Sequence, residues 1–269
     1  MTVLRIFLFL LSGLGLALSA HAQTKRIPCG AGLVQHTVSG VILAAAQPVG
    51  LLIEFAGHST FLITSPKGVR MATDYNDYYR AAVLPHIAAM SAWHSNHSTP
   101  GISPFIIHAP VGWDRGEGTP RHDVTLKDMR VYNVPVNLEA GRRVFRYSTS
   151  VFVVESQGLC VAHLGLIGHV LEPRTLARIG RIDVMMTPID LRVTQSFEEI
   201  IKNIQGINPK LVIPMHYNAR AKVEGFLDEA KDFFPIRRPG TGTYVVRKST
   251  LPKKTEILYL VPPFFSQGF

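Results

Sequence analysis

Short apolar runs separated by turn residues dominate the chain from Leu51 onward. Runs of about five residues, rich in Val, Ile and Phe and bounded by Gly or Pro, are typical of β-strands. These strands fall into two strand-rich halves. The pattern predicts strands over 51–55, 60–64, 69–73, 88–93, 105–108, 129–136, 150–155, 159–164, 182–187, 210–214, 243–247 and 256–260.

Helical segments follow the strands in each half. Pro173 suits the first turn of a helix. Ser196 is a predicted N-cap, and Glu199 three residues later completes a capping box. Strands in two groups with helices beside them favour two sheets packed face to face, with the helices outside. The helices are predicted over 81–87, 173–179, 197–205 and 222–233.

The first 22 residues have the features of a secretory signal peptide. Arg5 supplies a positive charge, residues 6–18 form an apolar run, and Ala20-His21-Ala22 is a small-x-small cleavage site. The apolar run is shorter than the roughly 20 residues that span a bilayer, and no other stretch is long enough. We therefore expect cleavage after Ala22 and a periplasmic or secreted protein without a transmembrane segment.

The expected organisation is a signal peptide at 1–22, a lead-in at 23–50, one domain at 51–261 and a tail at 262–269. An apolar content of 46% is enough for one large α/β core. The net charge of +9 comes from scattered basic residues. No basic cluster is identified as interleaved with aromatic residues, which argues against nucleic acid as a partner. The charge allows weak attraction to anionic envelope lipids or polymers.

The two cysteines, Cys29 and Cys160, leave two interpretations open. Export would permit a disulfide bond between them. Cys160, however, lies in the apolar run 158–162, which predicts a buried strand. A small buried thiol is the favoured interpretation for such a position.

Candidate chemistry centres on the polar loop 93–100, Trp-His-Ser-Asn-His-Ser-Thr-Pro. The sequence has no Gly-x-Ser-x-Gly elbow and no glycine-rich phosphate loop. Ser95 and Ser98 adjoin His94 and His97, so a Ser–His nucleophile is one alternative. Adjacent polar residues in a loop are more often simply solvated.

Four segments together resemble the metallo-β-lactamase fold superfamily, in its ascorbate-6-phosphate lactonase-like branch of zinc-dependent hydrolases. The segments are Gly-His-Ser-Thr-Phe-Leu-Ile at 57–63 with Asp74, His-Leu-Gly-Leu-Ile-Gly-His at 163–169, 182–190, and Pro-Lys-Leu-Val-Ile-Pro-Met-His-Tyr at 209–217. The resemblance implies an α/β fold, the four-layered αβ/βα metallo-β-lactamase-type sandwich. It also implies a cleft at the strand ends, formed by the loops that hold His97, Asn137, Leu166, Asp190 and His216.

In that superfamily His and carboxylate ligands hold two metal ions that activate water. The resemblance places His97 and His216 on ligand positions. The other expected ligand positions carry Ser95, Thr99, Pro100, Asn137 and Leu166. Leu166 stands where a carboxylate would bridge the two ions, and an apolar side chain cannot neutralise them. We expect Leu166 to be buried among apolar neighbours.

The remaining ligands allow a rewired site with one zinc ion at most. The metal candidates are His97, His216, Asp190 and His163, with His94 and His169 also available. His58 is interpreted as a structural residue of a tight turn that braces the sheet edge near Asp74. Two functions stay open: an exported metal-dependent hydrolase acting on an ester, lactone, amide or phosphoester, or a metal-free, non-catalytic protein that binds a small molecule or an envelope partner in the cleft.

Overall fold

A computed structural model of the protein describes Cys29 and residues 50–140, 143–191 and 194–263. The predicted signal peptide, its cleavage site and nearly all of the lead-in lie outside these residues. Two β-sheets and three α-helices make up the described part of the chain. None of those helices combines the length and the apolar character needed to cross a bilayer.

The first sheet has five strands in the order β12-β1-β2-β3-β4. Alternating burial along β1 lets one face pack inward, as in a half-buried antiparallel strand. Phe55 of β1 stacks on Phe61 of β2 with ring centroids 4.4 Å apart. The strands are β1 (Leu51–Gly57), β2 (Thr60–Thr64), β3 (Arg70–Ala72), β4 (Ile87–Ala88) and β12 (Thr243–Val246).

The second sheet has eight strands in the order β11-β13-β10-β9-β8-β7-β6-β5. Strands β8, β9, β10, β13 and β11 pair in parallel, in that order across the sheet. Strands β5, β6, β7 and β8 pair antiparallel. The strands are β5 (Asp123–Leu126), β6 (Met129–Ala140), β7 (Arg143–Ser156), β8 (Leu159–His163), β9 (Val184–Pro188), β10 (Leu211–Met215), β11 (Ile236–Arg237) and β13 (Glu256–Leu258).

The helices of the described chain are α1 (Pro173–Ile179), α2 (Phe197–Ile207) and α3 (Arg220–Ala230), and α1 packs against β6. Each inserts apolar side chains into the main core, including Ile179, Ile204 and Phe226. Strands β8, β9 and β10 are buried at every position, which is expected where both faces of a parallel sheet are covered. The predicted α/β sandwich is therefore confirmed.

The parallel strands also bring three polar residues to one edge. His163 ends β8, Asp190 follows β9 and His216 follows β10. The carboxyl ends of parallel strands are the usual place for ligand sites in such sheets. Phe55 of the first sheet meets Tyr217, just after His216, with ring centroids 5.9 Å apart, so the two sheets join beside this edge.

Most predicted elements are found, and the capping box of Ser196 and Glu199 is confirmed. The predicted helix over 81–87 is wrong. Residues 81–86 form bends and irregular backbone, and Ile87 begins β4. The Leu84 carbonyl accepts a hydrogen bond from the Arg70 side chain, and His86 N–H donates to the Arg70 carbonyl. The predicted strands at 88–93 and 105–108 shrink to β4 and isolated bridges. Strands β5 and β11 were not predicted.

The preference for a buried thiol at Cys160 is also wrong. Cys29 and Cys160 form a disulfide bond, with Cα atoms 5.8 Å apart. The Cys29 carbonyl accepts the backbone N–H of Arg181 at 2.9 Å, which holds Cys29 beside β8. The partners lie 131 residues apart in sequence, so the apolar pattern around Cys160 carried no sign of the pairing.

Candidate metal centre

Three loops from distant parts of the chain supply a cluster of histidines. His58 occupies the turn between β1 and β2, His97 lies in the loop after β4, and His216 follows β10. His58 and His216 have φ angles of 55° and 63°, in the left-handed region that costs a non-glycine residue free energy. The backbone N–H of His216 donates to the carbonyl of His58 at 2.6 Å, so these two strained positions hold one another.

Hydrogen bonds to backbone groups and to a buried side chain fix the loop that carries His97. His97 N–H and Ser98 N–H both donate to the carbonyl of His94, which makes a tight turn. The fully buried Asn76 side chain donates to the carbonyls of Asp74 and Asn96, at 2.7 and 3.0 Å. These bonds fix the direction of the His97 imidazole.

The three imidazoles point toward a common position. Their ligand atoms all lie within 4.8 Å of one another, and all three residues are buried. His97 Nε2 and His216 Nε2 are 3.0 Å apart, and the His58 ring centroid lies 4.2 Å from that of His216. The His58 ring also stacks on Tyr79 at 5.4 Å, which fixes its plane.

Two carboxylates orient two of these imidazoles. His97 Nδ1 donates to Asp74 Oδ2 at 2.5 Å, and His216 Nδ1 donates to Asp190 Oδ2 at 3.0 Å. Ionised carboxylates only accept, so both Nδ1 atoms carry hydrogen and both Nε2 atoms can present lone pairs. Two lone pairs facing each other at 3.0 Å repel unless a cation, either a proton or a metal ion, lies between them.

Burial and neighbouring charges set the protonation of the cluster. Burial alone would raise the pKa of Asp74, but attraction to His97 and His163 and hydrogen bonds from His97 and Ser91 hold this pKa below its usual range. Burial, reinforced by repulsion from His216 and His97, lowers the pKa of His58 to about 3. His58 is therefore neutral at pH 7, which is the form of imidazole that binds metal ions.

The predicted site residues divide into two groups. His97 and His216 come together as expected. Asp190 contacts the far side of His216, and a hydrogen bond from Thr194 holds it there. His163 Nε2 donates to the carbonyl of Ser59 at 2.9 Å and lies 3.7 Å from Asp74 Oδ2. Asp190 and His163 thus support the cluster from outside its centre.

Two further candidates are placed differently from His97. His94 is exposed, with its ring centroid 5.8 Å from that of His97. His169 is half-buried in the loop after β8. Neither belongs to the group of ligand atoms that converge in the described part of the chain.

The interpretation of His58 as a structural turn residue is incomplete. His58 does form the turn, but its imidazole faces His216 and His97. The sequence signal was available, because Gly57-His58 stands between two predicted strands, β1 and the buried β2. Only the pairing of the two sheets reveals that this turn adjoins the end of β10.

The substituted ligand positions have other roles. Thr99 Oγ1 donates to Asp77 Oδ2 at 2.7 Å, and Asn137 Oδ1 accepts the N–H of Tyr147 at 3.1 Å. Ser95 and Pro100 are exposed. The expectation that Leu166 is buried in the core is wrong, since it is half-buried and lies outside the core clusters of the described residues.

A serine nucleophile is not favoured by the geometry. Ser98 Oγ donates to the carbonyl of His94 at 3.1 Å, so it is not hydrogen-bonded to an imidazole. Ser59 Oγ does lie 3.2 Å from His58 Nδ1, but Ser59 is fully buried. A hydroxyl without access to solvent cannot reach a substrate.

The sandwich and its histidine cluster define a known class of protein. The family described as the β-lactamase superfamily domain matches residues 52–216, so the chain belongs to the metallo-β-lactamase superfamily. Among the curated proteins it is similar to metal-dependent hydrolases designated UPF0173. The similarity to the protein of Archaeoglobus fulgidus is 30% identity over 103 residues, covering 38% of this chain and 40% of that protein.

A second relative of the same designation comes from Methanoregula boonei, with 36% identity over 72 residues, 27% of this chain and 32% of that protein. The matched region thus spans less than half the length of either relative.

Solved structures share the fold. One from Thermotoga maritima, provisionally described as a zinc-dependent hydrolase of the metallo-β-lactamase superfamily, has a TM-score of 0.59 and 25% identity, covering 78% of this chain and 98% of that chain. Another, from Parabacteroides distasonis and provisionally described as a metal-dependent hydrolase, has a TM-score of 0.55 and 18% identity over 68% of this chain and 89% of that chain.

Proposed function

We propose that the protein is a metal-dependent hydrolase with a single metal ion held by His58, His97 and His216. The observation that carries the proposal is the convergence of three buried imidazoles from separate loops. The names of the similar proteins, metal-dependent and zinc-dependent hydrolases, support the same class of activity.

The donor set fits a divalent ion such as zinc. Zinc–nitrogen bonds of about 2.0–2.1 Å in tetrahedral geometry place two ligand nitrogens about 3.3 Å apart. The Nε2 atoms of His97 and His216 are 3.0 Å apart, so a small shift would seat an ion. Three protein ligands and an open fourth position are the usual pattern of a catalytic zinc site.

Asp74 and Asp190 hold the two imidazoles with Nε2 turned inward, so these ligands need little reorganisation. The negative charge of both carboxylates also favours a cation at the centre. A bound ion would polarise a carbonyl or phosphoryl group and make water a better nucleophile. The proposed substrates are esters, lactones, amides or phosphoesters, of which a lactone is the choice suggested by the resemblance to the ascorbate-6-phosphate lactonase-like branch.

One observation favours the alternative, a metal-free protein that binds a ligand in the cleft. Five positions that hold ligands in dinuclear relatives by resemblance carry Ser95, Thr99, Pro100, Asn137 and Leu166. A second ion would therefore lack donors. The alternative requires that the remaining imidazoles share a proton instead of a metal ion.

Hydrolysis by the metal-loaded protein tests the proposal. Purified protein stripped with a chelator and reloaded with zinc is assayed against a panel of aryl esters, lactones and phosphodiesters. We expect zinc-dependent turnover in the wild type and its loss in His58→Ala, His97→Ala and His216→Ala. His108→Ala, which alters an imidazole outside the cluster, is the matched control. Turnover that survives in all three cluster variants would contradict the proposal.

We also propose that the protein acts outside the cytoplasm. The disulfide bond between Cys29 and Cys160 supports this proposal, because such bonds persist in oxidising compartments. Intact-mass analysis of protein from the host envelope should find a chain that starts at Gln23. A mature chain that keeps residues 1–22 would contradict export by cleavage.

A further inference from the structure

Strands β6 and β7 are longer than the strands that flank them, and their far ends form a free arm. Strand β5 pairs with β6 only as far as Tyr132, and β8 pairs with β7 only from Phe152 onward. Beyond these points residues 138–140 pair with residues 143–145, and no third described strand pairs with residues 138–140 or 143–147, here called the arm. Phe152 lies opposite His163, so the arm projects from the sheet edge that carries the histidine cluster.

Apolar and basic side chains share the surface of the arm. Val144, Phe145 and Tyr147 are 56%, 46% and 37% exposed. Arg143 and Arg146 are exposed, and neither forms an ion pair with any described residue. Contrary to the expectation from the sequence, basic and aromatic residues are interleaved here. The one carboxylate in the described arm belongs to Glu139, which lies opposite Val144.

An exposed tryptophan near the histidine cluster is linked to the arm through a neighbouring loop. Trp93 is 74% exposed and packs on Trp113 with ring centroids 5.6 Å apart. Asp114, which follows Trp113 in sequence, donates its N–H to the carbonyl of Tyr147 in the arm at 2.9 Å. Trp93 immediately precedes His94, whose ring contacts that of His97. The arm and Trp93 therefore form one surface bordering the cluster, here called the aromatic–basic edge.

We propose that the aromatic–basic edge docks the protein on an anionic phospholipid bilayer. Exposed aromatic and aliphatic side chains gain free energy in the headgroup region, and Trp and Tyr are favoured there. Unpaired Arg side chains beside them are attracted to anionic headgroups. The net charge of +9 adds a long-range attraction of the whole protein to an anionic membrane. A projecting strand pair can enter a lipid surface, whereas it offers no concave groove to a globular partner.

Docking through the aromatic–basic edge would bring the histidine cluster close to the membrane surface, because Trp93 immediately precedes His94 and the His94 ring lies beside that of His97. The inference rests on the edge alone and does not require that a metal ion bind. It assigns to this molecule a peripheral membrane surface that the fold itself does not imply.

Flotation of the mature protein, residues 23–269, with vesicles tests the proposal. One vesicle type is pure phosphatidylcholine, and the other replaces about one third of that lipid with phosphatidylglycerol. We expect binding to the anionic vesicles, weakening as salt rises because exposed charges are screened. Arg143→Gln/Arg146→Gln should lower the partition coefficient roughly tenfold or more, and Val144→Ser/Phe145→Ser by a similar factor.

Two matched controls separate the edge from general charge and stickiness. Lys253→Gln/Lys254→Gln removes the same charge from another exposed site, and Phe105→Ser removes a side chain that is 80% exposed elsewhere. We expect both controls to bind within about twofold of the wild type. Equal losses in control and arm variants would overturn the proposal.

Two other outcomes would assign the edge to a different partner. Sedimentation showing a wild-type dimer that Val144→Ser/Phe145→Ser converts to monomer, without vesicle binding, would make the edge a contact between copies. Binding of a single-stranded oligonucleotide that the arginine variant abolishes, again without vesicle binding, would assign nucleic acid. The proposal stands only if vesicle binding is present and both arm variants weaken it selectively.

Discussion

Asp74 carries a charge that is completely buried beside the histidine cluster. It is a buried carboxylate that accepts hydrogen bonds from His97 and from the backbone N–H of Ser91. An unpartnered charge at this depth would be costly, and the surrounding histidines and hydrogen bonds offset that cost. Asp74 therefore acts by holding His97 in place and in the correct tautomer.

Replacement of Asp74 by Asn should weaken zinc binding by about 10–100-fold, the usual effect of losing a carboxylate behind a histidine ligand. The amide is nearly the same size but cannot supply the negative charge. Zinc affinity of the purified variant is measured by competition with a chromophoric chelator. The matched comparison is Asp77→Asn, a more exposed carboxylate that bonds to Thr99. An affinity equal to that of the wild type in Asp74→Asn would show that the carboxylate does not orient a ligand.

Leu166 provides a second prediction at this scale. Because the side chain is half-buried, Leu166→Asp should lower the free energy of unfolding by only about 1 kcal/mol, well below the cost of a charge in the core. Chemical denaturation of the metal-free protein measures it, with Val161→Asp in the buried strand β8 as the severe case. A loss of several kcal/mol in Leu166→Asp would show that the position is buried in solution.

Residue-level predictions from the sequence worked where a motif was specific. The flanking residues of His97 and His216 marked both as site residues, and their Nε2 atoms lie 3.0 Å apart. His58 was missed because a Gly-His turn already has a sufficient local explanation. Its neighbour His216 follows β10 of the other sheet, 158 positions away along the chain, and no local pattern encodes that contact.

At the scale of elements, α2 gives a direct test of the local code. Ser196 Oγ accepts the N–H of Glu199, and the Glu199 carboxylate accepts the N–H of Ser196. Ser196→Ala should lower the free energy of unfolding by about 1 kcal/mol, the typical cost of losing an N-cap. Ser249→Ala, at an exposed serine whose side chain bonds to no described residue, is the control. An unchanged denaturation midpoint in Ser196→Ala would mean that packing alone holds the start of this helix.

Elements with a clear local sequence pattern were predicted well, and segments whose conformation depends on contacts with other parts of the chain were not. The buried strands β8, β9 and β10 are mainly apolar, and α1 begins at a proline, so both kinds of element can be recognised from the local sequence. Residues 81–87 were predicted as a helix, but Arg70 and Ile107 donate to the carbonyls of Leu84 and His86, and residues 81–86 form bends and irregular backbone instead. The free ends of β6 and β7 are exposed and therefore lack the inward apolar face that marks a strand.

The disulfide bond belongs to the scale of the whole molecule. It links Cys29 to β8 across 131 residues and so restricts the unfolded chain strongly. Cys29→Ser/Cys160→Ser should lower the free energy of unfolding by about 2–4 kcal/mol. The midpoint in urea measures it, and reduction of the wild type before the experiment is the matched control. Agreement of both with the oxidised wild type would show that the bridge does not stabilise the fold.

At the scale of the whole molecule, two sheets meet so that three loops bring His58, His97 and His216 together at the proposed metal site. The sequence predicted the sandwich and two of these histidines, because buried strands and a specific terminal motif are local features. The position of the third histidine and the disulfide depend on how the sheets pack, which emerges only when the chain is folded.

Native mass spectrometry of the purified protein titrated with zinc tests this account most directly. We predict one zinc ion per wild-type chain and none, at the same zinc concentration, in His58→Ala, His97→Ala or His216→Ala, while His108→Ala retains one. A wild-type chain that takes up no zinc, that holds two ions tightly, or that keeps its single ion when His58 is replaced would contradict the account.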